Sequence, residues 1–107
     1  MLNIKRMKEV IAERDSTDWD YQIEKCWKEL TKILSEDISS TIHYIDTECD
    51  EEEFSWLGEV FYEVARATNS QEFIDSLWRY VNKHPEICKK YNLEYDIEFA
   101  QGEIKQK

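Results

Sequence analysis

Apolar residues recur every three or four positions along most of the chain, with charged residues between them. This spacing puts apolar side chains on one face of an α-helix, as in a helix packed on a protein core. The clearest stripe follows Trp19 and consists of Ile23, Cys26, Trp27, Leu30, Ile33 and Leu34. It predicts a helix that Ser16, Thr17 or Asp18 caps, since side-chain oxygens there can accept from free backbone N–H groups.

Stripes of the same kind predict two further helices. One occupies the N-terminal residues and ends at the polar stretch "RDSTD"; its apolar positions are Leu2, Ile4, Met7, Val10 and Ile11. The other begins after "ATNS", where Asn69 or Ser70 supplies the cap. It ends near His84, because Pro85 disfavours helical geometry in the residue before it. Its stripe is Phe73, Ile74, Leu77 and Val81.

The stretch "DTECDEEEF", residues 46–54, carries six carboxylates in eight positions. Asp50 is suited to the N-cap of a helix with Glu53 at its third position, and Cys49 and Phe54 are suited to a flanking apolar contact. Carboxylates in a first helical turn face the positive end of the helix dipole. The pattern therefore predicts a helix start at Asp50. The stripe that follows is Phe54, Leu57, Val60, Phe61 and Val64.

Two segments fit either a helix or a strand. Positions 38–49 have helical spacing, but the β-branched run 41–45 also fits a short strand. Positions 91–99 alternate strictly between apolar and polar residues, as a strand does, and the stripe Leu93, Ile97, Ala100 and Ile104 is helical. Helices are the prediction for both segments, because no partner strand is evident elsewhere.

The composition favours an all-α fold. Only Gly58, Gly102 and Pro85 are available as strong chain breakers, and turn-rich β folds need more of them. We predict a single helical domain over residues 1–107, with five to six helices in a compact bundle or a short helical-repeat stack. The alternative is an α+β fold with short strands near 41–45 and 91–99.

Cysteine usage and hydropathy bear on the compartment. The three cysteines, Cys26, Cys49 and Cys88, are widely spaced and without a CxxC motif, so buried free thiols are expected rather than a disulfide framework. There is no apolar run of about eighteen residues, nor an apolar signal-peptide core. These features predict a cytoplasmic protein.

The net charge of −10 comes from one part of the chain. Acidic and basic residues balance in residues 1–34 and again in residues 66–107, whereas Ser35 to Ala65 holds ten acids and no Lys or Arg. A negative field of this kind repels nucleic acids and anionic membranes and attracts basic proteins. Direct binding of nucleic acid is therefore disfavoured.

No metal or cofactor site is predicted. An EF-hand loop starting at Asp46 would place Glu51 where glycine is needed and Leu57 where a bidentate glutamate is needed. His43 and His84 lack a second imidazole or thiolate at ligand spacing.

One enzyme pattern is present as an alternative. All-helical pyrophosphohydrolases of the MazG kind bind magnesium through ExxE followed by ExxD, and the chain matches with Glu48 and Glu51, then Glu72 and Asp75. The predicted helix start at Asp50 separates the first pair from a common helix face. Residues 35–65 also lack the cations or glycine-rich backbone that phosphates need.

Trp56 is the aromatic residue most unlike a core position. On a helical wheel it lies within the polar arc beside Glu52, Glu59 and Glu63. A tryptophan among carboxylates suits an interface with a basic protein, although it also suits a side chain that covers a neighbouring helix. The predicted partner-binding residues are Asp46, Glu48, Glu51, Glu52, Trp56, Glu59, Tyr62 and Glu63.

The segments "EEEFSWLGEVFYEVARATNSQEFIDSLWRYVNKHPE" and "KKYNLEYDIEFA" resemble small immunity proteins of bacterial contact-dependent growth inhibition and related polymorphic toxin systems. The resemblance covers the last half of the chain and lies in the helix pattern. It implies a cytosolic acidic protein that binds its cognate toxin domain, often a basic nuclease that attacks tRNA or DNA. It implies no catalytic residues.

The expected function is therefore non-enzymatic. The acidic surface from Asp46 to Glu63 would dock on a cationic nuclease domain and occlude its substrate groove. The alternatives are the magnesium-dependent pyrophosphohydrolase and an adaptor domain that binds another basic protein.

Overall fold

Helices form all the regular structure in residues 1–105, the part of the chain that the computed structural model describes. Their bounds are α1 Ile4–Asp15, α2 Asp20–Glu36, α3 Ile38–Thr47, α4 Glu51–Leu57, a 3-10 turn Gly58–Val60, α5 Phe61–Thr68, α6 Gln71–Lys83, α7 Pro85–Lys90 and α8 Leu93–Gln101. The all-α prediction is confirmed. The strand alternative is wrong: 41–45 lies inside α3, and 91–99 lies in a turn and α8.

The helix number was slightly underestimated. Residues 1–105 contain eight α-helices. Because α4, the 3-10 turn and α5 follow one another without a gap and count as one segment, the eight helices form seven separate helical segments. The C-terminal region is divided by Asn92, whose left-handed backbone (φ 55°) separates α7 from α8. Asparagine adopts this conformation more readily than most residues, so it can end a helix as glycine does.

Side-chain caps fix where several helices begin. The Asp50 carboxylate accepts from the Glu53 N–H, and the Glu53 carboxylate accepts from the Asp50 N–H, which confirms the predicted capping pair. Ser70 caps α6, while Asn69 ends α5 in the left-handed conformation. The predicted cap of α2 is wrong, because Trp19 holds the N-cap position and donates no side-chain bond to the helix.

The predicted apolar stripes meet in one core. α1 packs on α2, α3 on α6, and α5 on both α2 and α8. Aromatic rings fill the centre: Phe54 stacks on Tyr80 with ring centres 3.9 Å apart and contacts Phe61 at 5.2 Å. All three cysteines are buried and free, as expected. No helix within residues 1–105 has the length and apolar character needed to cross a membrane.

A buried carboxylate connects three helices within this core. Glu53 at the start of α4 accepts a 2.6 Å hydrogen bond from the Tyr44 hydroxyl of α3 and lies 3.0 Å from the Lys8 ammonium of α1. Burial, together with this bond to Glu53, raises the pKa of Tyr44 well above its usual range. The carboxylate is thus satisfied from three directions, which is the condition for burying such a group without a large cost.

Glu53→Ala is expected to lower the free energy of unfolding by about 2 kcal/mol, because the Tyr44 hydroxyl would stay buried without an acceptor. Glu53→Gln keeps an acceptor oxygen for Tyr44 and should lose clearly less. Urea unfolding followed by circular dichroism measures both. Glu52→Ala, in the same turn but exposed, is the control and should change stability by less than about 0.5 kcal/mol. Equal losses for the two alanine variants would contradict this role of Glu53.

Gly58 permits the close approach of the 3-10 turn to α8. A Cβ at this position would lie 2.7 Å from Leu93 Cδ2 and 3.5 Å from Asp96 Oδ2. Leu93 is itself buried, with 2% of its surface exposed, so it has little room to move away. The backbone of Gly58 is ordinary right-handed helix (φ −54°), so contact with α8 is what requires the small residue.

Gly58→Ala is expected to destabilise the protein by about 1–3 kcal/mol through overpacking against α8. In a Leu93→Val background, which removes the contacting methyl, the same substitution should cost less. Thermal and urea unfolding of the original protein, the two single variants and the double variant measure the coupling energy between positions 58 and 93. Additive effects would show that the contact with Leu93 is not the cause.

Candidate partner-binding surface

The eight predicted partner-binding residues line three different grooves. Asp46 and Glu48 line a groove at the α3–α4 connection, beside Lys83 and His84. Glu51, Glu52, Trp56 and Glu59 line a second groove, and Glu59, Tyr62 and Glu63 line a third. The wheel assumed about 100° per residue throughout, whereas the 3-10 turn advances by about 120°. This turn shifts the residues after Gly58 to a different direction.

The second groove, here called the Trp56 groove, lies between the α4 segment and α7. Its lining is Asp15, Glu51, Glu52, Ser55, Trp56, Glu59, Ile87 and Tyr91, and its volume is about 690 Å³. Trp56 is half-buried, and its ring packs against the core cluster. Four carboxylates therefore surround an indole that is only partly open to solvent.

Arg14 of α1 covers part of this groove. Its guanidinium donates to both carboxylate oxygens of Glu59, at 2.8 and 2.9 Å, and lies 5.2 Å from the centre of the Trp56 ring. Trp27 Nε1 also donates to Glu59, at 2.9 Å. Glu59 therefore joins α1 and α2 to the 3-10 turn, and Arg14 lies over the indole. The partner-binding role of Trp56 and Glu59 stays a prediction.

Other helices also neutralise part of the acidic segment. Arg79 of α6 donates to both oxygens of Asp46, at 3.1 and 2.9 Å, and Lys8 pairs with Glu53. Glu48, Glu52 and Glu63 are exposed and make no ion pair with any residue of 1–105. Counting charges within residues 35–65 alone therefore overestimates the unpaired negative charge of this segment. The cations that pair with its acids come from distant parts of the chain.

The third groove, here called the α8 groove, lies between the 3-10 turn, α5 and α8. It is lined by Gly58, Glu59, Tyr62, Glu63, Tyr95, Asp96 and Phe99 and measures about 570 Å³. The Tyr62 and Phe99 rings are in contact, with centres 4.9 Å apart. The Tyr95 and Phe99 rings lie nearly parallel, 16° apart, with centres separated by 6.3 Å. Glu59 forms the common wall of this groove and the Trp56 groove.

Asp96 is the half-buried carboxylate of the α8 groove. Its pKa is raised first by partial burial and then by the negative charge of Glu59. No cation of residues 1–105 pairs with it, and no donor there bonds it. This carboxylate has therefore lost some of its hydration without receiving a protein partner.

The aromatic stripe of α8 is the feature that sequence reasoning missed. Tyr95 and Phe99 on α8 are 60% and 57% exposed, while Leu93, Ile97 and Ala100 on the same helix are buried. Tyr91, in the turn before α8, is 50% exposed. The spacing of four residues was visible in the sequence as a second stripe beside the buried one. The strict alternation of apolar and polar residues over positions 91–99 hid this helical spacing. The exposed aromatics and the buried residues together occupy every second position, as the residues on one face of a strand do. The exposed pair Tyr95 and Phe99, one turn apart on α8, marks a surface suited to a partner.

The magnesium-binding pattern is not assembled in the described part of the chain. Residues 1–105 contain no group of three or more His, Cys, Asp or Glu side chains placed to hold a metal ion. Glu51 instead lies 3.5 Å from His84, and Asp75 accepts from Gln71 one turn earlier on α6. His84 stacks on Tyr80, with ring centres 4.2 Å apart, while His43 is exposed.

Comparison with known proteins gives no relative from which a role could be transferred. No protein-family model matches the chain, no curated protein matches its sequence, and no solved structure matches its fold.

Proposed function

We propose that this protein binds a basic toxin domain and neutralises it, as the resemblance to immunity proteins of contact-dependent growth inhibition implies. The observation that carries the proposal is the surface formed by the Trp56 groove and the α8 groove together. It combines acids with aromatic rings: Asp15, Glu51, Glu52, Glu59, Glu63 and Asp96 with Trp56, Tyr62, Tyr91, Tyr95 and Phe99. Arg14 lies over Trp56 and Lys90 lies over Tyr91 in the Trp56 groove, whereas no Lys or Arg is among the residues that line the α8 groove.

This combination suits tight binding of a cationic protein. The carboxylates attract a basic partner over a distance and speed its association. Exposed aromatic rings then supply apolar contact area that slows its release. A toxin that acts on nucleic acid has a positively charged substrate groove, so the surface that attracts nucleic acid would also attract this protein. Inhibition would follow from occlusion, and the proposal requires no catalytic residue.

Replacing Glu51, Glu52 and Glu63 together by Gln should reduce the association rate with the cognate toxin domain by about tenfold at low salt. We expect a neighbouring gene to encode that domain. The salt dependence of that rate should also become weaker, because fewer charges steer the encounter. Glu59 is left unchanged because it bonds Arg14 and Trp27 within the fold. Stopped-flow or surface-based kinetics measure the rates, and protection of cells that express the toxin measures neutralisation.

The matched control is Asp18→Gln, Glu36→Gln and Glu72→Gln, which changes the net charge equally at exposed acids outside both grooves. It should retain the association rate to within about twofold. Equal effects of the two triple variants would contradict this docking surface. Binding without protection would contradict the immunity role and favour an adaptor.

A further inference from the structure

The α8 groove presents an aromatic face that no other element in residues 1–105 covers. Tyr95 and Phe99 are more than half exposed, although Leu93, Ile97 and Ala100 on the other face of the same helix are buried in the core. Tyr62 from α5 continues this platform through its contact with Phe99. Exposing such rings to water is unfavourable, so the face is suited to burial against a partner.

The charge around this face identifies the chemistry of that partner. Asp96 is half-buried and lacks a cation within residues 1–105, and Glu63 on the opposite wall is exposed and also unpaired there. Partial burial and the negative charge of Glu59, which Arg14 itself engages, raise the pKa of Asp96. A positively charged group entering the groove would remove the repulsion between carboxylates and satisfy Asp96.

The combination of aromatic rings and a carboxylate in the groove favours arginine over lysine. A guanidinium group is planar, stacks on aromatic rings and donates two parallel hydrogen bonds to a carboxylate, whereas an ammonium group acts as a point charge. The protein already contains one such arrangement, in which Arg14 pairs with both oxygens of Glu59 and lies over Trp56. The neighbouring α8 groove offers the same combination of ring and carboxylate without the arginine.

We propose that the α8 groove receives an arginine side chain of the basic partner, stacked on the rings of Tyr95 and Phe99 and hydrogen-bonded to the Asp96 carboxylate. This inference rests on the proposed function and specifies one contact of it. Glu63 adds a second acceptor at the rim. The partner's arginine would then be a principal anchor of the complex, since buried arginine and aromatic contacts dominate many interfaces.

The test titrates the full chain, labelled with ¹⁵N, with N-acetyl-arginine amide and follows amide shifts by NMR. Shifts concentrated at residues of the α8 groove are expected. N-acetyl-citrulline amide, which has nearly the same shape but no charge, should give shifts at least about fivefold weaker at equal concentration. N-acetyl-lysine amide should also bind more weakly. Equal shifts from the citrulline and arginine compounds would overturn the proposal.

Asp96→Asn and Tyr95→Leu should each raise the half-saturation concentration of the arginine compound by about fivefold. Glu94→Gln is the matched control, because Glu94 is exposed and lies about 160° around α8 from Asp96. It should leave that concentration unchanged. Circular dichroism of each variant verifies the fold. Identical titration curves for Asp96→Asn and Glu94→Gln would overturn the assignment to this groove.

Self-association and toxin binding are measured separately. Sedimentation that shows a dimer dissociated by Tyr95→Leu would mean that a second copy covers the face, and would overturn the proposal. Neutralisation of the toxin without shifts from the arginine compound would overturn this site and leave the proposed function standing. Specific arginine binding without any toxin binding would support the site and contradict the proposed function.

Discussion

The buried carboxylate of Glu53 attaches the acidic middle of the chain to its core. It caps α4, accepts from Tyr44 of α3 and pairs with Lys8 of α1, so three helices depend on one side chain. A carboxylate in that position is tolerated only because each of these partners is present. The start of α4 sets the position of the 3-10 turn and α5, and therefore of both grooves.

Charge compensation from outside the acidic segment then decides which acids remain available. Lys8 and Arg14 of α1 and Arg79 of α6 neutralise Glu53, Glu59 and Asp46. The exposed pairs add little stability individually, but they fix the direction of their carboxylates. What is left for a partner is a smaller set of acids beside α8 and on the outer face of α4. Glu52 and Glu63, unpaired within residues 1–105, lie in the two grooves beside aromatic rings, where an incoming cation would also find apolar contact, whereas Glu48 lies apart at the α3–α4 connection.

The same geometry changes which aromatic residues the proposed docking surface would use. The sequence favoured Trp56 as the aromatic contact with a partner. In the structure it is partly a core residue, because it packs on the apolar cluster and Arg14 lies over its ring. Tyr95 and Phe99 of α8 carry no such cation from residues 1–105. Binding would therefore rely on α8 for its aromatic contacts and on α4 and α5 for much of its charge, with Glu59 between the two grooves as a fixed wall.

The sequence by itself determined the all-α class, the buried stripes, the burial of the cysteines and the capping of α4 by Asp50. Each of these depends on residues within a turn or two of one another, where periodicity and capping are decided. The tertiary structure alone decided which carboxylates are neutralised and which aromatics stay exposed. Arg14 and Glu59 are 45 positions apart, and Asp46 and Arg79 are 33 apart, so no local pattern relates them. The 3-10 turn that begins at Gly58 rotates the direction of the side chains that follow it, and the turn packs closely on α8. A helical wheel with a constant step of about 100° does not include this rotation.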